Sequence, residues 1–249
     1  MDLGLTGKVA LVTGGSGGIG RAVAQALVAE GARVVLLGRH RETLHAATQS
    51  IGPDAMSVVA DTTDSAQVEW AVAEAAASWG RLDVVVNCAA PKALPNAPTG
   101  VAGLDEADFL RQVDTKALGY ARVARAAVPH LKESGGGAIV NVSGMNARLT
   151  GSITGSVRNL AVVAITKNLA DELGASGISV TCVHPGLTLT DELMDRPDSR
   201  EAASNNSLGR PVTAREVAGV VAFLCSPAAA AMTGAVITVD GGRPGSIWA

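Results

Sequence analysis

The stretch Val9-Ala-Leu-Val-Thr-Gly-Gly-Ser-Gly-Gly-Ile-Gly20 decides the fold predicted for this chain. Lys8–Thr13 is a short apolar run that indicates a buried β-strand, and Gly20–Glu30 has the pattern of a helix. The glycines between them let the backbone approach a pyrophosphate, while the start of the helix offers free N–H groups and a positive dipole end to an anion. In this strand–turn–helix context, the sequence predicts nucleotide binding rather than a plain tight turn.

The alternation of apolar strands and helices continues along the rest of the chain. The predicted strands are Lys8–Thr13, Arg33–Leu37, Ser57–Ala60, Leu82–Asn87, Ala138–Ser143, Ser179–His184 and Val236–Asp240. The predicted helices are Gly20–Glu30, Arg41–Ile51, Ser65–Trp79, one within Asp105–Lys132, Ser156–Leu173 and Ala214–Cys225. This α/β pattern predicts one doubly wound, seven-stranded parallel sheet, a Rossmann fold, in a single domain over residues 1–249. Ligands of such sheets bind at the carboxyl ends of the strands.

Composition and charge narrow the class of protein. The net charge is −3 without a block of like charge, which argues against nucleic acid and anionic membranes as partners. The three cysteines lie far apart in apolar segments, as is typical of reduced thiols in a cytoplasmic protein, and no metal site is predicted. No signal peptide is recognisable. Val217–Val239 is uncharged, but Ser226-Pro227 and Gly234 favour a helix followed by a strand over a membrane span.

Several motifs, in their order along the chain, resemble the short-chain dehydrogenase/reductase family. The spacing Thr13-Gly14-x-x-x-Gly18-Ile19-Gly20 is similar to the glycine-rich turn of that family rather than to the generic dinucleotide fingerprint. Asn87-Cys-Ala-Ala90 resembles the family's Asn-Asn-Ala-Gly with two of the four residues changed. Pro185-Gly186 resembles the loop that borders the nicotinamide, and Val239-Asp-Gly-Gly242 resembles the closing strand. The resemblance covers essentially the whole chain.

The resemblance implies a set of cofactor-binding residues. They are Gly14, Ser16, Gly18, Ile19, Arg39, Asp61, Thr62, Asn87, Ala89, Pro185, Gly186 and Thr188. An acidic residue after the second strand would bind the ribose hydroxyls of NAD, but the chain there reads Leu37-Gly-Arg-His-Arg41. Arg39 offers a fork of donors to a 2′-phosphate, so we expect NADP(H) in preference to NAD(H). A solvated arginine at the start of a helix is the simpler interpretation.

The resemblance fails at the family's four catalytic positions. In the family, a tyrosine transfers the proton, a lysine four residues later lowers the pKa of that tyrosine, a serine polarises the carbonyl and an asparagine holds a water. Counting from flanking matches puts Gly155 at the tyrosine position, Asn159 at the lysine position and Lys116 at the asparagine position. The serine pair reads Ser143-Gly144, and the single tyrosine of the chain, Tyr120, lies in an earlier helix. The sequence therefore predicts an atypical active site.

Three residues remain as candidate catalytic groups. Ser143 retains a hydroxyl, Asn159 retains a polar contact for a ribose, and Lys116 acquires a depressed pKa if cations and apolar walls surround it. Asn146, in the loop after the fifth predicted strand, is a weaker candidate donor. Cations near the ends of strands four to six suit an anionic small-molecule substrate or a developing oxyanion, unless they are ordinary surface charges. They are Lys92, Lys116, Arg148, Arg158 and His184.

These observations leave three functions open. The first is an NADP(H)-dependent oxidoreductase acting on an unknown carbonyl or alcohol, with a replaced proton donor. The second is a lyase, isomerase or dehydratase that stabilises an enolate, and the third is a non-catalytic NADP-binding sensor or partner subunit.

The apolar run Leu160–Ile165, with the family's four-helix seam, implies a homotetramer or homodimer. Leu187–Leu208 is the expected specificity segment, and Ser246–Ala249 is a candidate subunit contact.

Overall fold

Seven parallel strands form one sheet in the computed structural model, which describes residues 2–91, 100–190 and 201–244. The strands of this sheet are β1 Val9–Thr13, β2 Arg33–Gly38, β3 Ala55–Val59, β4 Val84–Asn87, β5 Gly137–Val142, β6 Ile178–Pro185 and β9 Val236–Val239. They lie in the order β3-β2-β1-β4-β5-β6-β9, and every neighbouring pair is parallel. Two short strands, β7 Thr188–Leu189 and β8 Val212–Thr213, pair separately.

Helices cover both faces of the sheet. They are α1 Gly18–Ala29, α2 Arg41–Ile51, α3 Ser65–Trp79, α4 Glu106–Val113, α5 Gly119–Glu133, α6 Ile153–Leu173 and α7 Ala214–Leu224. A π-helical turn, Asp114–Leu118, joins α4 to α5. Short 3-10 turns cover Val101–Gly103, Met145–Ala147, Gly174–Ser176 and Pro227–Met232. The chain thus has the doubly wound α/β fold that the sequence predicts.

The central strands β1, β4 and β6 are buried on both faces of the sheet because successive positions in them are apolar. On one face, Val12 of β1 belongs to a cluster with Val23 of α1 and Val221 of α7. On the other face, Leu11 of β1 belongs to a cluster with Val68 of α3. Neighbouring residues of a strand point to opposite faces, so a continuous Val/Leu run supplies both clusters at once.

The strand order reverses between β1 and β4, and this reversal positions the candidate site. β1 leads through α1 to β2 on one side, whereas β4 leads through α4 and α5 to β5 on the other. The loops after β1 and β4 therefore diverge and leave a crevice at the carboxyl ends of the two strands. This is the general ligand position in open α/β sheets.

The predicted elements are confirmed, with most bounds shifted by one to three residues. Arg41–Ile51 and Ser65–Trp79 keep their predicted bounds. Asp105 caps α4 by accepting a hydrogen bond from the backbone N–H of Asp108 at 3.0 Å. Val217–Val239 contains the end of one helix and a strand, and among the described residues no helix is long and apolar enough to cross a membrane.

Two expectations about local structure are corrected. The long helix expected within Asp105–Lys132 is divided by the π-helical turn Asp114–Leu118, where one extra residue brings Lys116 and Ala117 into the interior. α1 begins at Gly18 rather than Gly20, because the glycines already adopt helical backbone there. The pairing of β7 with β8 was not predicted, since two-residue strands leave no periodic pattern in a sequence.

Candidate active site

The turn between β1 and α1 leaves no room for a side chain at Gly14 or Gly20. Gly14 has a φ of +65°, and a Cβ added to it would lie 2.9 Å from the backbone nitrogen of Ala89. A Cβ on Gly20 would lie 2.3 Å from the carbonyl oxygen of Gly14. The backbone of the turn therefore packs directly on the loop after β4. No side chain of the described residues caps the N-terminus of α1 at Gly17, so its first N–H groups stay available to an anion.

A chain of buried hydrogen bonds joins this turn to α6. Thr13 Oγ1 accepts from the backbone N–H groups of the two residues after Asn87, at 3.1 and 3.2 Å, and donates to Asn87 Oδ1 at 3.4 Å. Asn87 Nδ2 donates to Asn141 Oδ1 at 2.9 Å. Asn141 Nδ2 in turn donates to Thr166 Oγ1 at 3.0 Å. This series of hydrogen bonds fixes β1, β4, β5 and α6 relative to one another at the carboxyl edge of the sheet.

A cleft of about 450 Å³ lies between the loops after β1, β2 and β4. It brings together six residues predicted to bind the cofactor, namely Gly14, Ser16, Gly18, Arg39, Thr62 and Ala89. Cys88 and Thr115 also line the cleft, although the sequence did not single them out. Of the other predicted residues, Ile19 packs against the core and Asn87 is fully buried in the hydrogen-bonded chain.

The end of β2 forms an exposed basic rim of the cleft. Arg39 Nη1 lies 3.9 Å from Asp61 Oδ2, and 58% of the Arg39 side chain is exposed. Asp61 Oδ1 instead accepts hydrogen bonds from the N–H and hydroxyl of Thr63, at 3.0 and 2.9 Å. An exposed ion pair at such a distance contributes little, so the Arg39 guanidinium is available to a ligand.

The loop after β6 reaches the start of α1 from the opposite side. The N–H of Gly186, which follows Pro185, donates to the carbonyl at the end of β9 at 3.0 Å, and Thr188 Oγ1 donates to the carbonyl of Gly186 at 3.1 Å. A Cβ on Gly18 would lie 2.4 Å from Cγ2 of Thr190. The three predicted residues of this loop thus hold Thr190 against the glycine turn, where Thr190 lines the cleft.

Lys116 is a buried cation on the π-helical turn, with 5% of its surface exposed. Its Nζ donates to the carbonyl oxygen of Ser143 at 2.7 Å. No described carboxylate contributes to its electrostatic surroundings. Burial, followed by the nearby Arg158 guanidinium, lowers the pKa of Lys116 from 10.5 to about 7. Lys116 is therefore a mixture of ammonium and amine near neutral pH.

Ser143 and Asn159 lie together at the carboxyl end of β5. Ser143 Oγ donates to the carbonyl oxygen of Asn159 at 3.0 Å, so the hydroxyl proton is engaged within the fold. Asn159 is 3% exposed, and its Oδ1 has no hydrogen-bond partner in the part of the chain that the structure describes. A buried acceptor without a partner is costly, and a donor group of a ligand would relieve that cost.

Gly155 stands at the position predicted for the tyrosine, and Tyr120 lies elsewhere in the fold. A Cβ on Gly155 would lie 2.8 Å from Asn146 Nδ2, so the Asn146 side chain fills the space beside this position. The hydroxyl of Tyr120 donates to the carbonyl oxygen of Val142 at 3.0 Å, and the residue is 1% exposed. Burial raises the pKa of Tyr120 well above 10. Tyr120 therefore serves as a core residue, not as a proton donor.

Two further basic side chains, Arg158 and His184, lie near Lys116. Arg158 is partly buried, its Nε has no partner among the described residues, and burial lowers its pKa. His184 is fully buried, and neither ring nitrogen has a partner within the described ranges. Burial, followed by the charges of Arg148 and Lys116, lowers the pKa of His184 to about 4, so the imidazole is neutral. Lys116 and His184 are thus interior groups rather than surface charges.

The sequence analysis did not identify two thiols near Lys116, the partly buried Cys88 and the buried Cys182, as site residues. Burial raises the pKa of Cys88 to about 12 and that of Cys182 to about 11. The altered Asn-Asn-Ala-Gly motif contains Cys88 and was the sequence signal that could have identified it.

Three predicted groups lie outside the described residues. They are Lys92, residues 191–200 of the specificity segment and the tail Ser246–Ala249.

Comparisons with known proteins agree with this geometry. A family model described as enoyl-(acyl carrier protein) reductase matches residues 14–243. The short-chain reductase protein NovJ of Streptomyces niveus is 34% identical over 250 residues, which covers 95% of this chain and 94% of that protein. D-threitol dehydrogenase of Mycolicibacterium smegmatis is 33% identical, with 97% and 94% coverage. L-sorbose reductase of Gluconobacter frateurii, solved with NADPH and L-sorbose, superimposes with a TM-score of 0.89 at 29% identity, covering 99% of this chain and 100% of that one.

The glycine turn lies beside a cleft at the point where the strand order reverses, which we call the switch-point cleft. Together with these matches over nearly the whole length, it defines a class of enzymes that carry out redox chemistry on a doubly wound sheet. The chain belongs to the short-chain dehydrogenase/reductase family and is an oxidoreductase of that family. Two of these relatives are named for different compounds, D-threitol and L-sorbose, so membership fixes the reaction class and not the substrate.

The burial of Lys116 predicts a pH-dependent stability. The unfolded chain binds the Lys116 proton up to about pH 10.5, whereas the folded chain releases it above about pH 7. Stability from this group therefore rises with pH across that interval, by about 1 kcal/mol per pH unit. We expect the free energy of unfolding of wild type, minus that of Lys116→Met, to increase by about 2–3 kcal/mol between pH 7 and pH 9 in urea titrations.

The matched control is Lys167→Met, which removes an exposed lysine of α6. Its difference from wild type should be nearly constant over the same interval, because the Lys167 side chain is in water in both states. A constant difference for Lys116→Met as well would contradict the burial of an unpaired ammonium.

Proposed function

We propose that the protein is an NADP(H)-dependent reductase or dehydrogenase that interconverts a small carbonyl compound and its alcohol. The observation that carries this proposal is the switch-point cleft, in which Gly14, Gly18 and Arg39 meet the loop after β4. Family membership supplies the reaction class. The buried group formed by Lys116, Ser143 and Asn159 supplies an atypical active site.

The residues present fit a nicotinamide nucleotide. The turn at Gly14 and Gly18 has the close backbone packing and open N–H groups that suit a pyrophosphate. Asn159 Oδ1, unpaired among the described residues, suits a donor such as a ribose hydroxyl. Of the other predicted residues, Ser16, Arg39, Thr62 and Ala89 line the cleft and are the proposed direct contacts. The proposed supporting residues around the cleft are Ile19, Asp61, Asn87, Pro185, Gly186 and Thr188. A bound nicotinamide supplies or accepts the hydride.

The preference for NADP(H) over NAD(H) rests on the basic rim after β2. Arg39, His40 and Arg41 follow this strand in sequence, and Arg39 and His40 line the cleft. An exposed guanidinium binds a 2′-phosphate through two parallel hydrogen bonds, which a ribose hydroxyl cannot replace. Asp61 lies at the limit of ion-pair distance and does not hold the arginine away from such a phosphate.

Lys116 is the proposed proton carrier. In the reductive direction its ammonium donates a proton to the oxygen of the substrate carbonyl, and in the oxidative direction its amine accepts the proton of the alcohol. A pKa of about 7 suits both steps near neutral pH. Ser143 orients the amine through its carbonyl oxygen, and its hydroxyl holds the backbone of Asn159.

An anionic group on the substrate is a further part of the proposal. Lys116 and Arg158 lie close enough for Arg158 to lower the pKa of Lys116, and Lys116 has no described carboxylate as a partner. Arg158 Nε is a buried donor without a described partner. A carboxylate or similar anion would neutralise these cations and satisfy that donor.

A titration with NADPH and NADH by calorimetry tests the cofactor proposal. We expect saturable binding of both nucleotides, with NADPH bound more tightly. Arg39→Ala should weaken NADPH binding by about tenfold or more, because it removes charge-assisted hydrogen bonds worth about 1.5–3 kcal/mol. Its effect on NADH should stay within about twofold.

The matched control is Arg125→Ala, which removes an exposed arginine that pairs with Glu69, and neither residue lines the cleft. It should leave both affinities unchanged. Failure of wild type to bind either nucleotide would overturn the proposed oxidoreduction.

A turnover assay tests the role of Lys116. The decrease of NADPH absorbance is followed with a panel of ketones and aldehydes, each compared with its carboxylated analogue. For the best substrate, Lys116→Met should lower kcat by about 10²–10⁴, since it removes the acid, and should abolish the pH dependence near pH 7. NADPH affinity should change little.

Lys167→Met should retain wild-type turnover. Equal kcat for wild type and Lys116→Met would contradict the proton-carrier role. Tight NADPH binding without turnover of any compound would instead support the alternative of a non-catalytic NADP-binding subunit.

We also propose a homodimer or homotetramer built on the outer face of α6. Ile153, Val157 and Leu160 are exposed along one side of this helix, and Leu110 of α4 and Leu118 of the π-helical turn are exposed nearby in the fold. Apolar residues spaced three or four apart on an exposed helix face are covered in many proteins by another chain. The three free cysteines support placing the assembly in the reducing cytoplasm.

Sedimentation velocity tests this assembly. Leu160→Glu should shift the oligomer towards monomer, because it buries a charge in the contact. Trp70→Glu replaces an exposed apolar residue of α3 and should leave the sedimentation coefficient unchanged. A wild-type protein that sediments as a monomer at micromolar concentration would contradict the proposal.

A further inference from the structure

The Lys116 side chain is buried and does not itself line the cleft, but two of its neighbours do. Thr115 precedes Lys116 in the chain, and Cys88, in the loop after β4, lies near enough to interact with it electrostatically when ionised. Lys116 Nζ is fixed by one hydrogen bond, to the Ser143 carbonyl at 2.7 Å, which leaves the nitrogen lone pair of the amine unengaged. An amine in this setting is a candidate nucleophile as well as a base.

The surroundings of Lys116 favour its neutral amine over its ammonium. Burial disfavours the ammonium most, and Arg158 of α6 disfavours it further. Cys88 and Cys182 would favour it only as thiolates, and with pKa values of about 12 and 11 they are neutral near pH 7. The imidazole of His184, on β6, is neutral near pH 7 because its pKa is about 4. No described carboxylate compensates the charge.

The consequence for reactivity is large. At neutral pH, about half of an amine with a pKa of about 7 carries a free lone pair, against roughly one in a few thousand of an ordinary exposed lysine. A lysine that is desolvated and placed beside another cation is an established way to make a nucleophilic amine.

We propose that Lys116 forms a Schiff base with aldehydes and ketones that enter the cleft. The Nζ lone pair attacks the carbonyl carbon, and one proton of the nitrogen moves to the carbonyl oxygen to give a carbinolamine. The C–O bond then breaks, a second nitrogen proton leaves with the oxygen as water, and a C=N bond forms. Uptake of one proton from solvent gives the iminium ion.

This activity needs no nucleotide and does not rest on the proposed oxidoreduction. An iminium withdraws electrons from the neighbouring carbon, so a proton α to the former carbonyl becomes acidic. The substrate class is therefore an aldehyde or ketone with an α-hydrogen. The reaction class is α-proton exchange, or elimination where a leaving group lies β to the carbonyl.

Reductive trapping tests the proposal on the intact protein. Wild type is incubated without nucleotide at about pH 7 with propionaldehyde or acetone and sodium cyanoborohydride, and the peptides are quantified by mass spectrometry. We expect the propyl or isopropyl adduct to accumulate on Lys116 at least tenfold faster than on the exposed Lys167. Equal or slower labelling of Lys116 would overturn the proposal.

Deuterium exchange of acetone in D₂O, followed by NMR, gives an independent readout. Wild type without nucleotide should exchange the methyl protons at least tenfold faster than Lys116→Met or Lys116→Arg, with circular dichroism confirming that both variants are folded. Lys167→Met should exchange at the wild-type rate. Exchange that persists in both Lys116 variants would contradict the Schiff base, whatever the outcome of the NADPH titration.

Discussion

The hydrogen-bonded chain from Thr13 through Asn87 and Asn141 to Thr166 is the constraint on which the rest of the site depends. Each bond contributes only about 1 kcal/mol net, but every polar atom along the chain is buried, and losing one partner strands another at a cost of about 1–3 kcal/mol. This series of hydrogen bonds starts at the glycine turn and ends on α6, the helix that carries Asn159. Cofactor cleft and candidate catalytic group are thereby held in one rigid arrangement.

Lys116 stands in contrast to that satisfied network. Its buried ammonium donates a hydrogen bond to the Ser143 carbonyl and has no described carboxylate as a partner. The protonated form of Lys116 therefore lowers the free energy of unfolding. The π-helical turn places Lys116 in the interior, because one extra residue per turn rotates its side chain inward. Destabilised groups of this kind are a common property of active sites, because the same desolvation that weakens folding shifts the pKa into a useful range.

Sequence reasoning succeeded where a local pattern corresponds to a local structure. The apolar runs gave the strands, and glycine spacing gave the turn at Gly14 and Gly18, because sterics forbid a Cβ beside Ala89. Lys116 was singled out from its place in a resemblance, but its burial and its bond to Ser143 follow from packing between distant segments. The sequence also could not predict that the Ser143 hydroxyl is engaged or that Asn159 Oδ1 has no partner among the described residues, since both depend on how α6 packs on β5.

The sequence by itself determined the class of fold, the order of its elements, the family and the position of the nucleotide turn, because each follows from periodicity or from residues adjacent in the chain. The tertiary structure alone decided which cations are interior, which polar atoms have partners and how far the Lys116 ammonium is destabilised. The physical reason is that desolvation and Coulomb interactions depend on everything within a few ångströms, and those neighbours come from β4, β5, β6 and α6 together.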